Sequence, residues 1–340
     1  MMKICFIIEN ADQKHGGGRY AGDLISAVKK AGHSVIVLGV DTILDAIKIR
    51  KYCKNCDIIH AIDGYPYGVA AALANIGLNK KLVITAQGTY AVAPLYSFPA
   101  SILLKWAYKK ADKIIAISRY TKREILKKIN VSSIEVINHG VYFDEFYQEP
   151  VESKEKFILS VGALKYRKGY HISIPAFAMA KKEIPDLKYK IIGNHKDKEY
   201  FTELKNLAKR YGIENDIEFL SDLSDEARNN LYRKAKIFIL TSVNENHHFE
   251  GFGLVFLEAA AAGLPVIGTL DNGIEDAVKN NFNGILVPQN DTKTAAEALL
   301  KILNNEQLRQ ELSLNSFSWA KSHDWSKVYP EYIRAYQNLG

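Results

Sequence analysis

Short apolar runs alternate with helical segments along almost the whole chain, and this alternation limits the fold more than any other feature. The predicted strands are residues 3–8, 34–38, 57–61, 82–85, 113–117, 135–137, 156–161, 187–192, 217–220, 237–240, 265–268 and 284–287. Helical segments separate most of these strands, for example 20–31 and 169–182. Strands that alternate with helices predict βαβ units and therefore parallel sheets.

The pattern stops and restarts near the middle of the 340 residues, a length typical of about two domains. A polar stretch, 149–154, contains Pro150 and is typical of a linker. We expect an N-terminal domain at 1–150, a C-terminal domain at 151–322 and a final amphipathic helix within 323–340. The fold class is therefore α/β with two doubly wound, Rossmann-like sheets, whose ligands bind at the carboxyl ends of the strands.

The positive charge is unevenly distributed. Residues 1–150 hold 20 Lys and Arg against 13 Asp and Glu, whereas residues 151–340 hold 25 of each kind. Nine basic residues and two acidic ones fall between Lys105 and Lys128. Such a face attracts anionic lipid head groups, nucleic acid or an acidic substrate, or is simply a solvated helix face.

The three cysteines, Cys5, Cys53 and Cys56, are few and odd in number, which favours a reducing compartment. The C-x-x-C that two of them form is typical of a redox pair or half a zinc site, but two incidental thiols at a helix end are the favoured interpretation. No apolar stretch of 18 residues and no signal segment occurs, so we expect a cytoplasmic protein.

The most informative motif begins at Glu250-Gly251-Phe252-Gly253. Two glycines at a helix entry expose backbone N–H groups to an anion such as a diphosphate. The predicted helix continues over 254–262 and ends at 263–265, Gly-Leu-Pro. Glu258 lies about one turn inside that helix, where a carboxylate accepts hydrogen bonds from vicinal hydroxyls.

This motif resembles the signature of retaining glycosyltransferases of family 4, in which two glutamates with seven residues between them flank G-F-G. The resemblance implies the GT-B fold, with two Rossmann-like domains that face each other across a cleft. It also implies that the final helix, within 323–340, crosses back onto the N-terminal domain. It implies that Glu250 contacts the transferred sugar and Glu258 the nucleotide ribose, with backbone N–H groups around Phe252–Leu254 on the sugar or diphosphate. The implied donor-binding residues are Gly16, Gly17, Gly18, Arg167, Lys168, Glu250, Gly251, Phe252, Gly253, Leu254 and Glu258; the implied catalytic residues are Glu250, Lys168 and Gln87.

The resemblance covers nearly the whole chain but includes two departures. The family usually has arginine where Ala163 stands, so one cation for the donor phosphates is missing, although Lys165 or Arg167 can partly substitute. It commonly has histidine where Gln87 stands in Thr85-Ala86-Gln87-Gly88-Thr89. Glutamine hydrogen-bonds a sugar hydroxyl but carries no positive charge.

The implied reaction moves a sugar from a nucleoside diphosphate, with UDP- or GDP-sugars favoured, to a hydroxyl of a glycan or lipid-linked acceptor. No D-x-D occurs, so neither a metal nor another cofactor is expected. His247-His248 is an unsuitable metal site, since adjacent histidines rarely share one ion. Contact with an anionic membrane surface is expected through residues 101–110, which mix apolar and cationic side chains at helical spacing, although an ordinary core-facing helix is the alternative. Nucleic acid is not an expected partner.

Three other functions compete with this one. A non-catalytic partner subunit would follow if Ala163 and Gln87 disable turnover. A sugar-nucleotide epimerase of the same fold would need no acceptor. A dinucleotide-dependent oxidoreductase is suggested by G-x-G-x-x-A at 16–21 with Asp41 beyond it, but seven residues separate the first strand from Gly16, whereas the true fingerprint follows its strand at once.

Overall fold

The computed structural model describes residues 1–9, 16–148 and 154–339. They form two compact units. Unit 1 consists of Met1–Gly140, Asn246–Phe252 and Trp325–Gly340, and unit 2 of Val141–Glu245 and Gly253–Asp324. Most of the predicted linker lies outside the described residues, and the predicted domain limits stay predictions.

Unit 1 contains a parallel sheet with the strand order β2-β1-β3-β4-β5-β6. Its strands are β1 (Lys3–Glu9), β2 (Ser34–Val40), β3 (Ile58–Ile62), β4 (Lys81–Ala86), β5 (Lys113–Ala116) and β6 (Ile134–Val136). The helices along this part of the chain are α1 (Gly16–Lys30), α2 (Ala46–Cys53), α3 (Val69–Asn75), α4 (Thr89–Val92), α5 (Ala100–Lys110) and α6 (Arg119–Leu126). All five residues of β3 are buried, as expected for a parallel strand covered by helices on both faces.

Unit 2 contains a second parallel sheet with the strand order β12-β11-β10-β7-β8-β9. Its strands are β7 (Phe157–Val161), β8 (Lys188–Ile192), β9 (Ile217–Leu220), β10 (Ile237–Ile239), β11 (Val266–Thr269) and β12 (Gly284–Val287). Its helices are α7 (Phe143–Phe146), α8 (Tyr170–Glu183), α9 (Lys198–Arg210), α10 (Asp225–Lys234), α11 (Leu254–Ala261), α12 (Ile274–Ala277), α13 (Thr292–Leu303) and α14 (Glu306–Ser322).

The last helix, α15 (Trp325–Gln337), belongs to unit 1 and packs on α1. The hydroxyl oxygens of Tyr20 and Tyr332 lie 2.7 Å apart in the buried contact. Farther along α15, the Tyr336 hydroxyl lies 2.8 Å from His60 Nδ1, and His60 Nε2 lies 2.7 Å from Thr85 Oγ1. The helix is thereby bonded to β3 and β4 through one buried histidine.

The predicted α/β fold class with two parallel sheets is confirmed, and every predicted strand lies within two residues of an observed one. One local expectation was wrong. Helix α1 begins at Gly16 and not at residue 20 as predicted, so Gly16, Gly17 and Gly18 form its first turn. Glycine has low helix propensity, but the first turn lacks intrahelical partners for its N–H groups, so the loss there is small.

Candidate active site

The two cations of the Arg167-Lys168 pair lie in a short 3₁₀ turn that follows β7 in unit 2. Gly169 ends the turn at φ 70°, and a Cβ there would lie 1.8 Å from the carbonyl oxygen of Thr241. Thr241 Oγ1 donates a 2.7 Å hydrogen bond to Gly169 O, and Val243 N donates one of 2.8 Å to Arg167 O. These contacts hold both cations beside the chain that leaves β10, at the carboxyl edge of the sheet.

Helix α11 begins at the same edge of unit 2. Its N-cap is Gly253, at φ 85°, and no side chain caps the first backbone N–H groups. A Cβ at Gly253 would lie 2.8 Å from Cδ2 of Phe256, so glycine is required by space as well as by φ. The first turn of this fully described helix carries no acidic side chain. Such an end, with its positive partial charge, suits an anion.

Glu258 lies in the second turn of α11 and is only 4% exposed. Tyr232, a buried residue of α10, donates a 3.0 Å hydrogen bond to Glu258 Oε2. A carboxylate removed from water needs such donors. Sequence reasoning missed Tyr232, because nothing in the spacing of residues on different helices indicates that they meet.

Phe249 anchors the segment Asn246–Phe252 in unit 1. Its side chain is 3% exposed, belongs to the hydrophobic core of that unit, and has its ring centroid 4.9 Å from that of Tyr120. Two 3.4 Å hydrogen bonds join its backbone to Thr89, whose hydroxyl donates to Phe249 O and accepts from Phe249 N. Glu250 follows directly, so its position is set by the core of unit 1.

Gly251 and Gly88 lie backbone to backbone within unit 1. A Cβ on Gly251 would lie 2.4 Å from the carbonyl oxygen of Gln87, and a Cβ on Gly88 would lie 2.8 Å from Gly251 Cα. Gly88 also has φ +109°, which side chains disfavour. The two glycines therefore allow the Gln87 loop and the Glu250 segment to meet. Both of these predicted catalytic residues are half-buried there.

Asp63 supports the Gln87 loop from the carboxyl end of β3. Its Oδ1 accepts hydrogen bonds from Gly64 N at 2.7 Å and from Gln87 N at 3.4 Å. Its φ of 115° is unusual for a residue other than glycine. Burial raises the pKa of this carboxyl group to about 7. Sequence reasoning missed Asp63, and its position after a strand was the only available signal.

His139 is a buried imidazole close to Glu250. Its ring stacks on Tyr20 at a centroid distance of 4.3 Å and lies 5.0 Å from the ring of Phe252. Neither ring nitrogen has a hydrogen-bond partner among the described residues. Burial lowers the pKa of His139 to about 3, although the charge of Glu250 acts in the opposite direction. His139 is therefore neutral at physiological pH.

The predicted site residues are thus distributed over both units. Gln87, Glu250, Gly251 and Phe252 lie together in unit 1, where Gly16–Gly18 form the first turn of α1. The remaining residues lie at the carboxyl edge of the sheet in unit 2: Arg167, Lys168, Gly253, Leu254 and Glu258. His247 stacks on Tyr96 at a centroid distance of 3.5 Å.

Two family profiles cover these elements. The profile described as Glycosyl transferases group 1 matches residues 143–319, and the one described as Glycosyltransferase Family 4 matches residues 41–145. The chain therefore belongs to the group 1 glycosyl transferases. It is an enzyme of the GT-B type that acts on nucleotide sugars.

Individual relatives agree with this assignment. An uncharacterised glycosyltransferase of Methanocaldococcus jannaschii is 29% identical over 304 residues, 88% of this chain and 82% of that protein. The N-acetyl-alpha-D-glucosaminyl L-malate synthase of Bacillus anthracis is 27% identical over 272 residues, 76% of this chain and 68% of that protein.

Solved structures show the same fold. Anabaena HepE in complex with UDP has a TM-score of 0.84 at 18% identity, covering 99% of this chain and 100% of that chain. WaaG, a glycosyltransferase involved in lipopolysaccharide biosynthesis, has a TM-score of 0.74 at 17% identity, covering 99% of this chain and 100% of that chain. Both similarities confirm the predicted GT-B fold.

Proposed function

We propose that the enzyme is a metal-independent, retaining hexosyltransferase that takes its sugar from a nucleoside diphosphate. The observation that carries the proposal is the start of α11, where N–H groups without a side-chain cap precede the buried carboxylate of Glu258. A diphosphate suits the first feature, and ribose hydroxyls suit the second. Donor contacts by Gly16, Gly17 and Gly18 are part of the same proposal.

A UDP-sugar is the favoured donor. HepE has been crystallised with UDP and with UDP-glucose, and the name of the Bacillus anthracis relative specifies an N-acetylglucosaminyl group. A GDP-sugar is the alternative, because backbone groups often recognise the base and leave little trace in the sequence. These relatives support a donor class rather than one sugar.

The proposed chemistry is mainly electrostatic. The bond between the anomeric carbon and the diphosphate oxygen breaks while the acceptor oxygen bonds to the same face of that carbon. Lys168 and the N–H groups at the start of α11 stabilise the negative charge that develops on the diphosphate. A phosphate oxygen takes the proton of the acceptor hydroxyl, and Glu250 orients the transferred sugar.

Both departures from the family pattern are compatible with this chemistry. Ala163 removes one cation, but Arg167 lies next to Lys168 in the same turn. Gln87 still supplies hydrogen-bond groups for a sugar hydroxyl, and its backbone is held by Asp63. We therefore propose slower turnover than with the usual arginine and histidine, and not a loss of activity.

The acceptor is proposed to be a glycan or a lipid-linked sugar, reached at an anionic membrane surface on the cytoplasmic side. The apolar side of α5 packs in the core through Leu104 and Tyr108, so that face is not available to lipid. Exposed apolar groups lie instead beside and within its first turns, with Phe98 84% and Ile102 60% exposed. Among the described residues, no helix combines the length and apolar character that crossing a bilayer requires.

Vesicle sedimentation tests the membrane contact. The chain should bind phosphatidylglycerol vesicles at low salt, bind phosphatidylcholine vesicles weakly, and dissociate as salt rises. Phe98→Ser with Lys109→Gln should reduce binding, while Tyr211→Ser, which removes an exposed aromatic residue from unit 2, should not. Equal binding by both variants, or none by the native chain, would exclude this surface.

Thermal stabilisation by UDP, GDP and ADP tests the donor site. A nucleotide at 100 times its dissociation constant adds about 2.7 kcal/mol to the free energy of unfolding. One of the three nucleotides should raise the melting temperature of the native chain. At the same concentration it should not raise the melting temperature of Glu258→Ala. If none stabilises it, the chain lacks a working donor site and the proposal fails.

A further inference from the structure

All three cysteines of the chain converge at one point in the core of unit 1. Cys5 lies on β1, Cys53 ends α2, and Cys56 lies in the turn that precedes β3. Their sulfur atoms all lie within 4.8 Å of one another, and the residues are 0%, 0% and 1% exposed. We propose that these thiols form a structural binding site for one soft, closed-shell cation of the Zn²⁺ or Cd²⁺ type.

The local backbone sets up two of the three ligands. Cys56 N donates a 3.1 Å hydrogen bond to Cys53 O, which closes a turn at the end of α2. Residues three apart in such a turn project to the same side. The third sulfur comes from a strand about fifty residues earlier in the chain, so the convergence is a property of the tertiary fold and not of C-x-x-C alone.

The geometry is close to what a thiolate site requires. A Zn–S bond of about 2.3 Å places ligand sulfurs about 3.8–4.0 Å apart. The observed limit of 4.8 Å requires shifts of less than about an ångström. Thiolates select soft cations over Mg²⁺ or Mn²⁺. Cys56 Sγ donates a 3.8 Å hydrogen bond to the backbone carbonyl oxygen of Tyr52, so one oxygen also lies beside the three sulfur atoms.

The charge balance is favourable for a divalent ion. Binding releases three protons from three thiols and leaves one net negative charge in the buried cluster. The positive charge of Lys80 acts on Cys53, and that of Lys3 acts on Cys56. The two lysines therefore offset part of the residual charge, which would otherwise be costly to bury, while the negative charge of Asp57 acts on Cys56 in the opposite direction.

The cluster lies away from the proposed chemistry. Cys5 is near the start of β1 and Cys56 precedes β3, whereas Gln87 follows the carboxyl end of β4. The cation would therefore join β1, α2 and β3 and stabilise unit 1 without contacting the donor. The proposal does not rest on the transferase assignment, so each can fail alone.

Titration of the reduced, metal-free full chain with Cd²⁺ tests the proposal. One equivalent should bind with a sulfur-to-cadmium charge-transfer band, release protons and raise the melting temperature. Cys5→Ala and Cys56→Ala should each lose the band and the stabilisation. His248→Ala, which removes an exposed imidazole, should retain both and thus control for adventitious binding.

Circular dichroism checks that each variant is folded, and the native chain gives a second readout independent of mutation. Its three thiols should be protected from a thiol reagent in the presence of Cd²⁺ more strongly than in its absence. No charge-transfer band in the native chain, a band that survives both cysteine variants, or a Cys53–Cys56 disulfide in metal-free protein purified without reductant would each overturn the proposal.

Discussion

Gly251 lies so close to Gln87 that a Cβ on the glycine would be 2.4 Å from the glutamine carbonyl oxygen. Gly251→Ala should therefore displace the neighbouring Glu250. Because small misplacements of catalytic groups reduce rates strongly, kcat/KM should fall by about 100-fold, measured by nucleotide release.

Gly212→Ala is the matched control. Gly212 has φ +66°, but a Cβ added there would have no other atom within 4 Å, so this variant introduces backbone strain without a steric clash. It should lose about 1 kcal/mol of stability and keep its activity. Equal activity in both variants would show that close packing at Gly251 does not position Glu250.

Tyr232 supports Glu258 through a 3.0 Å hydrogen bond. Tyr232→Phe removes that donor and keeps the ring, so the carboxylate should lose its fixed orientation. The binding free energy of the nucleotide should weaken by about 0.5–1.5 kcal/mol, which raises its dissociation constant roughly 2- to 12-fold, as measured by calorimetry. Tyr211→Phe, at an exposed site in the same unit, should bind as the native chain does. Unchanged affinity in Tyr232→Phe would remove Tyr232 from the site.

His60 connects α15 to the sheet of unit 1. Tyr336→Phe leaves the buried His60 Nδ1 without its partner at 2.8 Å, and an unsatisfied buried polar group costs about 1–3 kcal/mol. Denaturant unfolding should show this loss, whereas Tyr329→Phe, at a half-buried position on the same helix, should change stability little. If both variants are equally stable, the bond contributes nothing to docking of α15.

Asp63 should give unit 1 a distinctive pH dependence. Its pKa is raised by burial from 3.8 to about 7, so between these values the folded state binds more protons than the unfolded state. Its contribution to stability is therefore greatest below pH 4 and falls as pH rises to about 7.

Asp63→Asn removes this titration but keeps an oxygen that can accept from Gly64 N and Gln87 N. The free energy of unfolding of the variant minus that of the native chain should therefore increase as pH rises from 4 to 8. The increase should be a few kcal/mol, since one pKa unit corresponds to about 1.4 kcal/mol. Melting curves across this range measure the difference. A difference that does not change with pH would show that Asp63 is ionised normally in the folded protein.

The sheets could be predicted because buried parallel strands are nearly continuous apolar runs, as in 58–62 and 157–161. The α11 helix could be predicted because glycines mark both its ends. Tyr232, Asp63 and His139 could not be assigned to the site, since their roles depend on contacts between residues distant in sequence.

The sequence also gave no indication that the segment Asn246–Phe252 belongs to unit 1. Phe249 is a single apolar residue in a polar loop, and only the tertiary structure shows that it fills the core of unit 1. Likewise, sequence spacing gave no reason to connect Cys5 with the C-x-x-C that begins at the last residue of α2. Contacts of this kind are set by the tertiary structure, which the spacing of residues along the chain does not show.

The central claim is that Lys168 and the start of α11 stabilise the departing diphosphate without a metal. Release of nucleoside diphosphate from the matching nucleotide sugar measures it directly, comparing the native chain with Lys168→Met and with Lys196→Met, an exposed control in unit 2. We predict a loss of about 100- to 1,000-fold for Lys168→Met, no loss for the control, and no gain on adding Mg²⁺ or Mn²⁺. Full activity in Lys168→Met, or a rate that depends on the added metal, would contradict the account.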